Sequence, residues 1–243
     1  MTRIALISDI HANDVALRAV LADIRRTGVD QVICLGDVAT LGPRPNAVIE
    51  ILGELGCRCI MGNHDEFLLD AELVHTYSGA APQVVASINW TRCRLSRIEL
   101  DFLRGFERSC EIALAKSTVQ LFHGSPRSHM EDILASTPAE ALDAMLAGTT
   151  AVVLAGGHTH IQMLRQHHGR LLVNPGSVGL AFKDYVRGQA PAILSHAEYA
   201  MIEEFDGVIG VSLRRLALDK GKLRQAQSNT EHPLAPWLRE QYG

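Results

Sequence analysis

Five short apolar segments of the chain each end in residues that can bind a metal ion. The motifs are Ser8-Asp9-Ile10-His11, Gly36-Asp37, Gly62-Asn63-His64-Asp65, His123-Gly124 and Gly156-Gly157-His158-Thr159-His160. Imidazole, carboxylate and amide oxygen suit borderline and hard divalent ions, and no thiolate occurs in these motifs. Any one motif is more often a turn or a helix cap than a site. The ordered set, with each motif directly after an apolar segment, favours a site.

The segments around the first three motifs predict a parallel sheet. Apolar runs at 3–7, 31–35 and 57–61 alternate with helical periodicity at 14–26 and 46–55. Such alternation predicts parallel strands joined by right-handed crossovers. Ligands of parallel α/β sheets bind at the carboxyl ends of the strands. We therefore expect the motifs to converge at one edge.

After residue 64 the predicted secondary structure becomes helical and then mostly β. Residues 65–108 predict two or three helices, which we interpret as a helical insertion beside the sheet. Strands are predicted over most of the chain up to residue 218, including 118–122, 151–155, 161–166, 170–174 and 190–195, with a helix at 138–146. The polar residues 219–243 predict a peripheral C-terminal arm. A length of 243 residues suits one domain, 1–243, built on two sheets.

The number of candidate ligands indicates how many ions the site holds. There are seven, Asp9, His11, Asp37, Asn63, His123, His158 and His160. Seven ligands are too many for one tetrahedral zinc. They suit two ions roughly 3.5–4 Å apart, as in phosphatases and nucleases. One carboxylate must then bridge the ions, and Asp37 stands alone in the middle of the set.

The motifs resemble those of the calcineurin-like metallophosphoesterase superfamily. The similarity runs through residues 4–180, and the stretches SDIHAN, GDVATLGPRPNAV, MGNHDE, FHGSP and NPGSVG are similar to the small prokaryotic branch. That branch includes phosphodiesterases and enzymes acting on diadenosine tetraphosphate. One departure is Ala12, where many relatives have glycine. The resemblance implies an α/β fold, a four-layer α/β/β/α sandwich of two mixed sheets flanked by helices.

The resemblance also implies a role for each residue of the site. Asp9, His11, Asp37 and His160 would hold one ion, and Asp37, Asn63, His123 and His158 would hold the other. The cofactors would be two divalent transition metal ions, Mn, Fe, Zn, Ni or Co. His64 would face the substrate phosphate and act on the leaving group. Asp65 either orients the His64 imidazole or caps a helix.

Residues outside the motifs are candidates for substrate contacts. Arg44 and Arg127 lie just beyond two motifs, where each would either contact a phosphate or remain a solvated surface residue. The helical segment carries Phe67, Tyr77, Trp90 and Phe102, which would either stack on a base or pack between helices. We expect this segment to form a wall that admits a small ester and hinders a folded phosphoprotein.

Charge and cysteine usage limit the partners. A net charge of −4 does not favour binding of long nucleic acid. The five cysteines include no Cys-x-x-Cys pair, which favours a reducing compartment, and no apolar run reaches the length of a membrane helix. We expect a cytoplasmic protein that meets neither long nucleic acid nor membrane. The sequence does not define an oligomeric state.

Taken together, these features predict a two-metal phosphoesterase that acts on a small phosphorylated substrate, possibly a nucleotide. Its substrates would be small phosphodiesters or dinucleoside polyphosphates. The alternatives are a phosphomonoesterase or protein phosphatase of the same superfamily, or a non-catalytic binding protein with the same fold. A different metallohydrolase is disfavoured, because the His-x-His-x-Asp-His and His-Glu-x-x-His patterns are absent.

Overall fold

The structure is a computed structural model that describes residues 2–70, 72–76, 81–186, 188–228 and 230–243. Tyr77, one of the aromatic candidates, lies outside the described residues. Within these ranges the chain forms two mixed sheets of five strands each, with helices on their outer faces.

The first sheet contains the parallel strands that the N-terminal alternation predicts. Its strands are β1 (Thr2–Ile7), β2 (Gln31–Cys34), β3 (Arg58–Cys59), β9 (His196–Phe205) and β10 (Val208–Ala217). The order is β10-β9-β1-β2-β3, with β1, β2 and β3 parallel and β9 antiparallel to both β1 and β10. The last residues of β1 and β2, Ile7 and Cys34, are register partners. The loops that follow these two strands therefore start side by side.

Helices with clear start signals cover the outer face of this sheet. They are α1 (Asp14–Thr27), α2 (Pro45–Leu55), α3 (Asn63–Leu69), α4 (Leu73–Thr76), α5 (Pro82–Arg92) and α6 (Arg97–Arg104). The Asn13 side chain caps α1 by accepting a hydrogen bond from the Ala16 N–H at 3.1 Å. Proline at the first position begins α2, where its missing N–H costs nothing. Helix α3 begins at Asn63, so Asn63 and His64 lie in its first turn.

The second sheet carries the later motifs. Its strands are β4 (Cys110–Ala113), β5 (Thr118–Leu121), β6 (Val153–Ala155), β7 (Met163–His167) and β8 (Arg170–Asn174), in the order β4-β5-β6-β8-β7. Strands β5, β6 and β8 are parallel, whereas β4 and β7 run antiparallel to their neighbours. Helix α7 (Ala139–Met145) packs on the outer face through Leu142.

Alternation along β1 explains why the sheets stack. Ile4 and Leu6 pack against the second sheet, whereas Ala5 and Ile7 pack against the helices. Successive side chains of a strand point to opposite faces, so an all-apolar strand must be covered on both sides. The layers are helices, sheet, sheet and helix, which confirms the predicted four-layer fold.

The C-terminal residues differ from the expected peripheral arm. Residues Lys220–Ala226 form α8 and Ala235–Gln241 form α9. Leu223, Leu238 and Tyr242 are each about 1% exposed and pack with Leu180 and Ile193. The polar composition obscured these few spaced apolar residues, which suffice for a small core. A second difference is 190–195, where the predicted strand is reduced to one bridge between Ile193 and Phe182.

No helix in the described ranges combines the length and the apolar character needed to cross a membrane.

The packing of α9 can be tested through stability. Leu238→Ala removes a fully buried side chain and should lower the free energy of unfolding by about 2–5 kcal/mol. The matched control is Leu164→Ala on the half-exposed face of β7, which should change it by no more than about 0.5 kcal/mol. Urea denaturation measures both. Equal effects would show that α9 does not pack as described.

Candidate metal centre

The five motifs meet at the carboxyl ends of strands from both sheets. Strands β1, β2 and β3 lead to Asp9, His11, Asp37 and Asn63, and β5 and β6 lead to His123, His158 and His160. All of these side chains are buried except that of His158, which is partly buried. The expected convergence is therefore present, and the ligand set is divided between the two sheets.

The first group of potential ligands is Asp9, His11 and His160. The Nε2 atoms of His11 and His160 are 3.0 Å apart, and Asp9 Oδ1 lies 3.3 Å from His160 Nε2. Two ring nitrogens and a carboxylate oxygen thus face one point.

The second group is Asp37, His123 and His158. Asp37 Oδ2 lies 3.4 Å from His123 Nε2 and 3.9 Å from His11 Nε2, which belongs to the first group. Asp37 Oδ1 accepts a hydrogen bond from the His64 N–H at 2.9 Å. One oxygen of Asp37 therefore lies between the two groups, where a bridging ligand must be.

Backbone acceptors orient the histidine rings. His123 Nδ1 lies 2.6 Å from the Leu35 carbonyl oxygen, and His160 Nδ1 lies 2.7 Å from that of Leu180. A carbonyl oxygen only accepts, so each Nδ1 carries a proton and each Nε2 faces the site. Fixing the ring and its tautomer in this way is the usual support for a metal-binding histidine.

Several buried polar atoms of the site lack a hydrogen-bond partner among the described residues. They include Asp9 Oδ1, Asn63 Oδ1 and His123 Nε2. An unsatisfied buried polar atom costs about 1–3 kcal/mol. These three atoms belong to the predicted ligands, and their oxygen and nitrogen chemistry fits divalent transition metal ions.

The ionisation of these groups also fits metal binding. Burial would raise the pKa of Asp9, but His160 beside it lowers that pKa to about 2. Burial also opposes the charge on Asp37, and the adjacent His123 brings its pKa well below the ordinary value. Burial lowers the pKa of His158 to about 4, so this ring is neutral at neutral pH. Burial would lower the pKa of His123, but the adjacent Asp37 raises it to about 10, so a bound ion must displace a proton from that ring.

Most of the ligand residues have an unusual backbone conformation. Positive φ angles occur at Asp9 (53°), His11 (47°), Asp37 (56°), His158 (69°) and His160 (57°). The left-handed region disfavours residues other than glycine, and such strain clusters at functional sites. Hydrogen bonds between the loops hold this backbone, including Asp9 N–H to the Gly36 carbonyl at 2.9 Å and His11 N–H to that of Asp37 at 3.0 Å.

Close contact between the two sheets requires glycine at position 157. A Cβ atom there would clash with the Ser8 hydroxyl and lie 2.6 Å from Asp9 Oδ2. The absent side chain lets the His158 N–H donate to the same Asp9 oxygen at 3.1 Å. Gly157 therefore allows the loops after β1 and β6 to touch.

Asp65 is a structural residue rather than a partner of His64. Its carboxylate accepts hydrogen bonds from the N–H groups of Asp37, Val38 and Gly62 at 2.8, 2.9 and 3.0 Å. His64 Nδ1, in contrast, is buried and has no hydrogen-bond partner in the described part of the chain. An acid in the first turn of a helix turns back toward its N-terminus, and here it also ties β2 to α3. The alternative in which Asp65 orients His64 is wrong.

His64 lies beside the first ligand group. Its ring makes edge contacts with His11 at 5.2 Å and with Phe67 at 5.5 Å between centroids. Phe67 itself is buried, and Phe102 packs on Phe106 at 5.2 Å. The buried Phe67 and the partly buried Phe102 thus follow the alternative in which the aromatic residues pack between helices.

The two candidate arginines differ. Arg127 donates to both carboxylate oxygens of Glu131 and, at 3.0 Å, to the Ala144 carbonyl, so its guanidinium is engaged in stabilising a loop. The Arg44 guanidinium is half exposed, 3.5 Å from Asp14, and lines an open pocket with Trp90 and Arg94.

Asp132 is a site residue that sequence reasoning missed. Its Oδ1 lies 3.5 Å from His158 Nε2, and its Oδ2 accepts a hydrogen bond from the Tyr185 hydroxyl at 2.5 Å. Phe182, from the same segment as Tyr185, stacks on the His160 ring at 4.1 Å. These residues come from loops and have no distinctive spacing, so only the folded chain shows that they support the two histidines.

Comparison with known proteins agrees with this geometry. Residues 2–195 match the family model of the calcineurin-like phosphoesterase superfamily domain. An uncharacterized protein of Methanocaldococcus jannaschii is 31% identical over 209 residues, covering 84% of this chain and 83% of that protein. The chain therefore belongs to the calcineurin-like phosphoesterase superfamily, whose members depend on divalent metals.

Two solved structures are similar over most of their length. A metallophosphoesterase from Sphaerobacter thermophilus has a TM-score of 0.73 at 25% identity, with 99% of this chain and 100% of that one covered. A hypothetical protein from Pyrococcus horikoshii has a TM-score of 0.76 at 20% identity, with 91% and 90% covered. The family fold thus extends through nearly the whole chain.

The position of Asp37 predicts a selective effect on metal binding. Asp37→Asn replaces the carboxylate that is predicted to bridge two ions by a neutral amide, so at least one ion per chain should be lost relative to the parent. Elemental analysis after dialysis against trace Mn²⁺ or Zn²⁺ measures this. Asp206→Asn, at a highly exposed aspartate, is the control. Full metal content in the Asp37 variant would exclude the bridging role.

Proposed function

We propose that the protein is a two-metal phosphoesterase that hydrolyses small phosphodiesters or dinucleoside polyphosphates. The observation that carries this proposal is the pair of adjacent ligand groups with an oxygen of Asp37 between them and His64 at their edge. Every position of the predicted ligand set is filled by a residue of the expected type, which disfavours a non-catalytic binding protein.

The protein residues have distinct tasks in this reaction. Bound divalent ions would lower the pKa of a water molecule and neutralise charge on the phosphoryl oxygens. Asp37 would hold the ions at a fixed separation, while the backbone carbonyls of Leu35 and Leu180 keep His123 and His160 in their ligand orientation. Because the rings are already oriented, little reorganisation accompanies the reaction.

His64 is the group that we assign to the leaving oxygen. It follows Asn63 in the first turn of α3, and its ring lies against that of His11 while its side chain is only partly buried. A group at this edge can reach the departing oxygen and donate a proton or a hydrogen bond to it. No described side chain holds His64 Nδ1, which leaves the ring free to adjust to a substrate.

An open pocket beside the site supports a small substrate. Its volume is about 570 Å³, within the range of small-molecule sites, and Arg44, Trp90 and Arg94 line it. The Arg44 N–H donates to the Ala12 carbonyl at 3.2 Å, which holds one wall of the pocket beside the His11 loop. The Arg94 guanidinium lies 3.8 Å above the Trp90 ring. The two arginines suit a phosphorylated ligand, which would compete with Glu231, 3.7 Å from Arg94, and with Asp14, 3.5 Å from Arg44.

A substrate panel tests this function. With Mn²⁺ or Zn²⁺ present, kcat/KM should be highest for an aryl diester or a dinucleoside polyphosphate, and much lower for a phosphopeptide. Arg94→Ala should raise KM for the dinucleoside polyphosphate several-fold and leave the small aryl diester unchanged, because only the larger substrate reaches the pocket. Full turnover after verified chelation would refute the two-metal mechanism. A phosphopeptide or a monoester as the best substrate would favour the protein phosphatase or phosphomonoesterase alternative.

The proposed role of His64 predicts that the loss of kcat in a His64 variant depends on the leaving group of the ester. His64→Gln should retain the metal content of the parent and lose about 10²–10⁴-fold in kcat for an alkyl ester, the range of general acid catalysis. The loss should be much smaller for a nitrophenyl ester, whose leaving group needs no proton. His75→Gln, at an exposed histidine outside the motifs, is the matched control. Equal losses for both esters would leave His64 only a positioning role.

A further inference from the structure

A further group of metal-ligating side chains lies outside the candidate metal centre. Asp143 is on helix α7, His167 is the last residue of β7, and His168 is in the turn between β7 and β8. Together they supply two imidazole nitrogens and one carboxylate oxygen within 4.8 Å of one another. The proposed phosphoesterase reaction uses none of the three residues.

The two rings converge on a single oxygen atom. Asp143 Oδ1 lies 2.8 Å from His167 Nε2 and 3.1 Å from His168 Nε2, and the two ring centroids are 4.2 Å apart. Neighbouring residues in a regular strand point to opposite faces. Here His168 has a φ of 48°, in the left-handed region, and this turn conformation brings its ring to the same side as His167.

The group is preorganised on one side and accessible on the other. The His167 side chain is only 5% exposed, so packing fixes its ring, whereas the side chains of His168 and Asp143 are 66% and 52% exposed. An ion can therefore reach the site from solvent and complete its coordination with water. Two imidazoles and one carboxylate with open positions are a donor set for zinc, nickel, copper or cobalt.

We propose that Asp143, His167 and His168 form an additional site for a borderline divalent metal ion such as Zn²⁺ or Ni²⁺. Metal–ligand bonds of about 2.0–2.2 Å separate tetrahedral ligands by about 3.3–3.6 Å. The observed nitrogen–oxygen distances of 2.8 and 3.1 Å need to increase by less than about 1 Å, which the exposed His168 and Asp143 can accommodate. The bound ion would cross-link α7 to the hairpin of β7 and β8.

This site is separate from the candidate metal centre. Strand β8 is parallel to β6, so its first residue, Arg170, is at the edge of the sheet opposite the loop that carries His158. A strand rises about 3.3 Å per residue, which places the five residues of β8 between the two sites, about 13–16 Å of strand. Loss of one site should therefore leave the other occupied.

The test counts bound ions in parent and variant proteins. Each purified protein is dialysed against micromolar Zn²⁺ and analysed for metal and protein. The parent should bind one ion per chain more than Asp143→Asn and His168→Gln. Both variants should keep the parent's activity on the aryl diester, and the matched controls Asp206→Asn and His75→Gln should keep the parent's metal content. Thermal unfolding with Zn²⁺ and with chelator provides a second measurement, in which the zinc-dependent part of the Tm increase should be smaller in both variants.

Either of two results would overturn the proposal. One is equal zinc content in the parent, Asp143→Asn and His168→Gln, which would show that the cluster is a hydrogen-bonded surface group without an ion. The other is loss of activity and of more than one ion in these variants, which would show coupling to the candidate metal centre. Neither result would refute the phosphoesterase proposal, because that proposal is tested on the parent protein and the residues of its centre are intact in every variant.

Discussion

The shared carboxylate of Asp37 connects most of what is structurally unusual about this protein. Asp37 follows β2, faces His11 from β1 and His123 from β5, and hydrogen-bonds the first turn of α3. It can do so only because two sheets stack with the ends of their parallel strands at one edge. Because β1 is apolar on both faces, helices must cover one face and the second sheet the other. Packing therefore determines where the ligands meet, and the motifs determine what they can bind.

The same convergence creates an electrostatic problem that the fold solves locally. Carboxylates and imidazoles are buried together at a cost, because each loses its hydration. Asp65 offsets part of this cost by satisfying three backbone N–H groups, although burial and the nearby Asp37 raise its own pKa to about 7. Carbonyl acceptors satisfy the outward nitrogens of His123 and His160. The site atoms that remain without a hydrogen-bond partner among the described residues include Asp9 Oδ1 and His123 Nε2. Divalent cations would be their natural partners.

The convergence of the ligand residues at one edge of the sheets could be predicted from the sequence. Asp9, Asp37 and Asn63 directly follow apolar strands, so strand polarity alone places them at one edge. The packing of α8 and α9 was not predictable in the same way, because it depends on a few apolar residues in a polar segment. Arg127 and Asp132 show the same limit. Whether a loop side chain turns toward the site or toward a neighbour such as Glu131 depends on tertiary contacts that no spacing encodes.

The unsatisfied ligand atoms link metal binding to the stability of the fold. Left-handed backbone at the ligand residues costs about 1–3 kcal/mol per residue, and each unpartnered buried atom adds a similar amount. Helices and the second sheet cover both faces of β1, and this packing holds the strands that lead to the ligand loops. An ion that binds only the folded chain stabilises it according to the ratio of its concentration to its Kd. The ligand loops therefore gain most from metal binding, and the apolar layers beneath them hold the site in shape.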